Sequence, residues 1–175
     1  MEKYVYSFGG GKADDYLPSG TCHALGAGLL VAEVQTPSDT TFRVYDWGRT
    51  DRALHVEAAM ESIHFGPAQT ARYEKRTHIA GMHTHVSRLC ACDFFRIEKV
   101  RMSEAYEQEI PYNQPTVWMV LQGHGVIEMT DGKMEFARGE TLLLPARMNE
   151  PRVKILEDTV WLEVTFPQAA AEQIA

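Results

Sequence analysis

The sequence predicts a mainly β fold, a sandwich or jelly roll, and three observations carry that expectation. Short runs rich in β-branched and aromatic residues recur with turn residues at close intervals. Val160, Leu162, Val164 and Phe166 alternate with Trp161, Glu163 and Thr165, the period of a half-buried strand. Asp131-Gly132 lies between Val126–Met129 and Lys133–Phe136, the strongest hairpin signal in the chain. Within that hairpin Ile127 and Met129 share one face, as do Met134 and Phe136, with Glu128 and Glu135 opposite.

The elements follow in order. Residues 1–6 begin a strand that Gly9-Gly10-Gly11 interrupts as a flexible lead-in. Gly11-Lys12 is no phosphate loop, because Ala13 stands where Ser or Thr is needed. Pro18-Ser19-Gly20 forms a turn, 29–36 a buried strand, Pro37-Ser38-Asp39 another turn, and 40–45 a β-branched and aromatic run. A helix is expected over about 55–63, with Ala58, Ala59, Met60 and Ile63 on its apolar side and Gly66-Pro67 as its stop. His64 caps its end. Residues 68–87 are polar and read as a connector. Strands resume over 89–100 as a pair or one long bent strand, then over 116–121 and 141–144, the last closed by Pro145. The tail over 168–175 is alanine-rich and could add a second short helix.

Composition narrows the function classes. With 24 acidic against 17 basic residues the net charge is −7. Nucleic acid and anionic membrane both favour a basic face and are not expected as partners. An anionic substrate stays open, since one arginine can hold a phosphate. No apolar run reaches the length of a membrane helix, and no secretory apolar segment opens the chain. Cys22, Cys90 and Cys92 are odd in number and lack a Cys-x-x-Cys spacing, so no disulfide framework is expected; Cys90 and Cys92 read as two buried thiols, and a reducing cytoplasm fits.

Chemistry concentrates near the start. Pro18-Ser19-Gly20-Thr21-Cys22-His23 is a proline-x-glycine turn followed by a histidine that the next strand could aim inward. A neutral imidazole placed there can ligate a metal. Gly139-Glu140-Thr141-Leu142-Leu143-Leu144-Pro145-Ala146 shares its grammar of an apolar run and a proline turn. The first turn has the shape of the second cupin motif. The block from Leu17 to Phe65 includes Pro18-x-Gly20-Thr21-x-His23-Ala24-x-Gly26-Ala27-Gly28 and Ser38-Asp39-x-Thr41-Phe42-Arg43-Val44-Tyr45-Asp46-Trp47. It resembles the type I, zinc-dependent mannose-6-phosphate isomerases, and residues 88–166 resemble their C-terminal β unit more loosely.

The resemblance implies a cupin-type double-stranded β-helix or jelly roll, with a partial first cupin unit over 1–67, the connector over 68–87, a second β unit over 88–167 and a tail. It implies a zinc ion and a sugar-phosphate substrate, with mannose 6-phosphate and fructose 6-phosphate interconverted through an enediolate. His23 matches the metal-binding histidine. Arg43 matches an active-site arginine that could hold phosphate or stabilise the developing oxyanion. Glu33 matches an acidic pocket residue that could shuttle the proton from a buried position. Ordinary alternatives stand beside these: Glu33 as a solvent-facing strand residue, and Arg43 as the ion-pair partner of Asp39 or Asp46.

The sequence also departs from that family. Only twenty-two residues precede His23, and they hold no Gln-x-His pair and no strand-like approach to the turn, Lys12-Ala13-Asp14-Asp15-Tyr16 being too polar. His83-Thr84-His85 has a metal-ligand spacing but lies in the connector, and is expected to be a solvated loop, like His78. His124 is expected in a turn, and the segment around Met148-Asn149-Glu150 to leave the second unit metal-free. A catalytic zinc usually takes about three protein ligands. The chain therefore reads as a truncated or separately encoded piece, completed by a homodimer or another chain, with a non-catalytic sugar-binding or structural cupin as the competing reading.

Overall fold

Antiparallel pairing between neighbours in sequence and interleaved pairing between distant strands together build the protein. The computed structural model describes residues 3–9, 12–17, 22, 24, 30–35, 41–63, 65, 76–79 and 81–166. The Pro18 turn, His23, His64, Gly66-Pro67 and the tail lie outside them. The chain divides into two units, Met1–Ala68 and Gln69–Ala175.

In unit 1, β1 (Lys3–Gly9) pairs antiparallel with β2 (Lys12–Leu17) and β3 (Leu30–Gln35), giving the order β2-β1-β3. The expectation that Lys12–Tyr16 is too polar for a strand is corrected. Register with β1, from Val5 opposite Leu17 to Gly9 opposite Lys12, supplies the backbone hydrogen bonds that define it. The β run expected over 40–45 is also corrected, since 41–45 form no strand. The Arg43 backbone bonds instead to His55: its N–H donates to Nδ1 at 3.4 Å, and the His55 N–H donates to its carbonyl at 2.7 Å. His55 then leads into helix α1 (Val56–Ser62), where only Ala59 is buried and Met60 is exposed, not packed as expected.

Unit 2 holds β4 (Arg76–Ile79), β5 (Thr84–Ala91), β6 (Arg96–Met102), β7 (Glu107–Glu109), β8 (Thr116–Gln122), β9 (His124–Met129), β10 (Gly132–Ala137), β11 (Thr141–Leu144), β12 (Arg152–Ile155) and β13 (Thr159–Thr165). One sheet has the order β11-β8-β13-β6-β5-β4 and the other β10-β9-β12-β7. From β6 onward the chain crosses between sheets at nearly every connection, only the β9–β10 hairpin staying within one. This is the strand order of a jelly roll, with β4 and β5 added beside β6. The mainly β, cupin-type fold class expected from the sequence is the one found.

Part of the segment read as a connector is sheet: β4 and the start of β5 fall within 68–87, and Thr84 is buried despite its histidine neighbours. His124 opens β9 opposite Ala137 and does not sit in a turn; the positive φ of 77° belongs to Gly123. Cys90 is buried and Cys92 partly so, and the Cys92 thiol donates to the Phe95 carbonyl at 3.5 Å.

The core lies between the sheets. Val100, Met102, Trp118, Val120, Leu142, Leu144 and Trp161 face Ile127, Phe136, Val153 and Ile155. Trp118 and Trp161 stack at 4.4 Å between ring centroids, and Phe136 meets Trp118 edge-on at 6.0 Å. β13 is buried on both faces, not half-buried, because it is a central strand whose Val160, Leu162 and Val164 are enclosed as fully as Trp161.

Glycine is required where β8 turns into β9. A Cβ on Gly123 would lie 2.4 Å from the Asp158 carbonyl and 2.8 Å from the Thr159 Cα, at a φ that side chains rarely adopt. Gly139, at φ 91°, meets nothing within 4 Å. Gly123→Ala should therefore lower unfolding stability by more than about 2 kcal/mol, whereas Gly139→Ala should lose only about 1–2 kcal/mol. Urea denaturation of both variants checks the ranking, and equal midpoints would contradict it.

Candidate functional site

The residues singled out in the sequence fall in unit 1. His23 lies outside the described residues. Glu33 stands on β3 opposite Val5 and is exposed, so the burial expected of a proton-shuttling carboxylate is not found there. Arg43 stands in the irregular segment before α1 and is half-buried. Its backbone is clamped to His55 in both directions, and the Phe42 ring lies 6.3 Å from the His55 imidazole. Accepting the Arg43 N–H at Nδ1 requires that nitrogen to be unprotonated.

Of the two ion-pair partners considered for Arg43, Asp39 lies outside the described residues and Asp46 is engaged elsewhere. Asp46 takes Arg52 as its partner, with guanidinium nitrogen to carboxylate oxygen at 2.8 Å and 2.9 Å. Among the described residues the Arg43 guanidinium has no recorded hydrogen-bond or ion-pair partner. The following turn carries the Arg49 N–H to the Asp46 carbonyl at 3.0 Å and places Trp47 at φ 54°, where its ring meets Tyr45 edge-on. A guanidinium on a fixed backbone, with no neutralising carboxylate recorded among the described residues, suits an anion.

Among the described residues, no group of three or more His, Cys, Asp or Glu could hold a metal ion. His83 is exposed and stacked 5.0 Å from the Tyr106 ring, and His85 is exposed on β5. His124 pairs with Glu157 at 3.0 Å on the surface. The described donor set does not fit a zinc site.

Unit 2 contains a polar constellation that the sequence reading missed. Register places Arg88, Glu98, Glu163 and Trp118 side by side across β5, β6, β13 and β8. Period-2 alternation turns them to the side of Val100 and Trp161, into the barrel. One carboxylate oxygen of Glu163, Oε2, accepts from the Tyr112 hydroxyl, from Trp118 Nε1 at 3.2 Å and from Trp161 Nε1 at 3.4 Å. Trp118 Nε1 also donates to the Tyr112 oxygen at 3.1 Å. Arg88 Nε donates to Glu98 Oε1 at 3.3 Å.

Burial, and then the charge of Glu98, push the Glu163 carboxyl above the usual carboxylate range, against the downward pull of its hydrogen bonds. Burial and the adjacent Glu163 push the Tyr112 phenol up as well. The signal available in sequence was Glu163 itself, a charged residue on the Trp161 side of an otherwise enclosed strand. It reads as surface alternation until the partner strands are known.

No family model matches the chain. It is 36% identical over 143 residues to mannose-6-phosphate isomerase of Streptococcus mutans, covering 77% of this chain and 43% of the relative. It is 31% identical over 142 residues to mannose-6-phosphate isomerase ManA of Bacillus subtilis, covering 77% and 44%. The solved mannose 6-phosphate isomerase of Bacillus subtilis superposes with a TM-score of 0.70 at 29% identity, covering 85% of this chain and 47% of that one.

Because its folded-state value is raised, Glu163 contributes most to stability below the ordinary carboxylate range, and that contribution is lost as pH rises through the raised value. Glu163→Gln should flatten this decline between mildly acidic and neutral pH. Denaturation midpoints measured across that window check the sign; an unchanged slope would contradict it. Over three quarters of its length, then, the chain is similar to mannose-6-phosphate isomerases, and it spans less than half of the relatives it matches.

Proposed function

We propose that this chain works as part of an aldose–ketose isomerase that interconverts mannose 6-phosphate and fructose 6-phosphate. The observation that carries the reading is Arg43: a half-buried residue whose guanidinium has no recorded partner among the described residues, in a block that resembles the isomerases, within a chain similar to proteins of that name. Moving a carbonyl between adjacent carbons generates an enediolate with negative charge on oxygen. Arg43 would stabilise that charge or hold the phosphate. Glu33 would move the proton, and its exposure on β3 means that enclosure around it has to come with substrate or with another polypeptide segment.

His23 is proposed as a metal ligand and zinc as the metal. The described residues do not complete a site for it, so no step is assigned to the ion. Further ligands would come from a second copy or another chain, in keeping with a chain that spans 43% to 44% of its curated relatives. Residues 1–67 would be the catalytic-type portion and 88–167 the second cupin-like unit. The cytoplasm is the proposed location; no helix among the described residues is long and apolar enough to cross a membrane.

The test is a coupled isomerase assay on the purified chain together with zinc analysis. Arg43→Ala should reduce activity by at least about 100-fold while barely shifting the melting temperature, because no hydrogen bond or ion pair of its guanidinium is recorded among the described residues. His23→Ala should remove the zinc. A large drop in melting temperature would make Arg43 structural, and a metal-free, inactive protein would favour a sugar-binding or structural cupin.

A further inference from the structure

His55 joins the irregular segment that carries Arg43 to the helix that follows. Its N–H donates to the Arg43 carbonyl at 2.7 Å, its carbonyl accepts the Ala59 N–H at 2.9 Å, and its Nδ1 accepts the Arg43 N–H at 3.4 Å. Any residue could make the backbone bonds. The last bond needs a side chain with an acceptor at this position.

The ring does not serve the helix. His55 stands at the N-terminal boundary of α1, yet its side chain makes no capping bond there. Its recorded hydrogen bond among the described residues goes back to Arg43, and its ring neighbour is Phe42, the residue before. Residues 41–45 form no strand, and Phe42 and Val44, on either side of Arg43, are 41% and 38% exposed. Among the described residues no other hydrogen bond to the backbone of 41–45 is recorded. The chain between Arg43 and His55 is tied within itself, by the Arg49 N–H on the Asp46 carbonyl at 3.0 Å and by Arg52 on Asp46 at 2.8 Å. A loop whose ends meet and whose own side chains brace it keeps its shape without a sheet.

An arginine serves a substrate only as well as its backbone is placed. Its long side chain already has many rotamers, and a misplacement of about 1 Å can lower a rate on the order of 100-fold. Nδ1 supplies the Arg43 N–H with the acceptor that a neighbouring strand would otherwise supply. We propose that the His55 imidazole is a positioning residue: by accepting the Arg43 N–H it fixes the backbone from which the Arg43 guanidinium meets an anionic substrate. The substrate side of this inference rests on the isomerase reading; the clamp does not.

The experiment compares the full chain with His55→Asn, His55→Gln and His55→Leu. Asn puts an oxygen at the branch point where Nδ1 stands, Gln carries its oxygen one bond farther, and Leu has no acceptor. Isomerase kinetics and the hydrogen exchange of the Arg43 amide, followed by NMR, are the readouts. His55→Leu and His55→Gln should lower kcat/KM and speed exchange at least about tenfold each, and His55→Asn should restore both. Joining His55→Leu to Arg43→Ala should lower activity no further than Arg43→Ala alone, because His55 acts through Arg43. If His55→Leu does not fold, the contrast between His55→Gln and His55→Asn carries the test. Kinetics and exchange unchanged in the Leu and Gln variants would overturn the proposal, as would an Asn variant as impaired as Leu, or additive losses in the double variant. A wild-type chain without isomerase activity would count against the isomerase reading, and the Arg43 amide exchange would then decide the clamp by itself.

Discussion

The register of β13 against its two neighbours is the constraint on which unit 2 depends. With Trp161 opposite Val100 and Val120, the odd-numbered side chains of this strand enter the barrel. That choice puts an indole into the stack with Trp118 and a carboxyl group beside Tyr112. A slip of one residue would exchange them for Val160, Leu162 and Val164, emptying the aromatic core and stranding Glu163 among apolar groups. Losing either tryptophan from such packing costs about 3–5 kcal/mol. The core and the polar constellation are therefore two results of a single pairing, and neither can be altered without the other.

The same pairing explains a charged residue inside a barrel. Glu163 is tolerated because two indole N–H groups that also need partners lie within reach, and because Tyr112 adds a third donor. The Trp161 indole would otherwise be a buried donor without a recorded acceptor, at a cost of about 1–3 kcal/mol, and Trp118 would keep only the Tyr112 oxygen. Carboxyl and indoles thus satisfy one another. Burial still dominates the carboxyl's proton affinity, with Glu98 across the ladder pushing in the same direction. A network of this kind is cohesive and pH-dependent at once.

What could be read from the sequence was whatever is local. The hairpin was visible in Asp131-Gly132, and Met129 does pair with Gly132. The strand ending at Pro145 and the helix after His55 were legible from apolar runs and stops. What failed depended on partners far along the chain. β2 is polar and is made a strand by β1. The start of β5 looked like a connector because its apolar side appears only opposite β6. Residues 41–45 have strand composition, yet Arg43 spends its backbone on His55. The Glu163 rung joins four strands, and no window of sequence contains it.

The two units consequently yield different kinds of functional argument. In unit 1 the case rests on residue identity, because a long motif names Arg43, Glu33 and His23 while the described geometry supplies only one clear feature, a guanidinium with no recorded partner among the described residues, held on a clamped backbone. In unit 2 no motif names anything, and geometry alone gathers a carboxylate pair, a guanidinium and three aromatic donors.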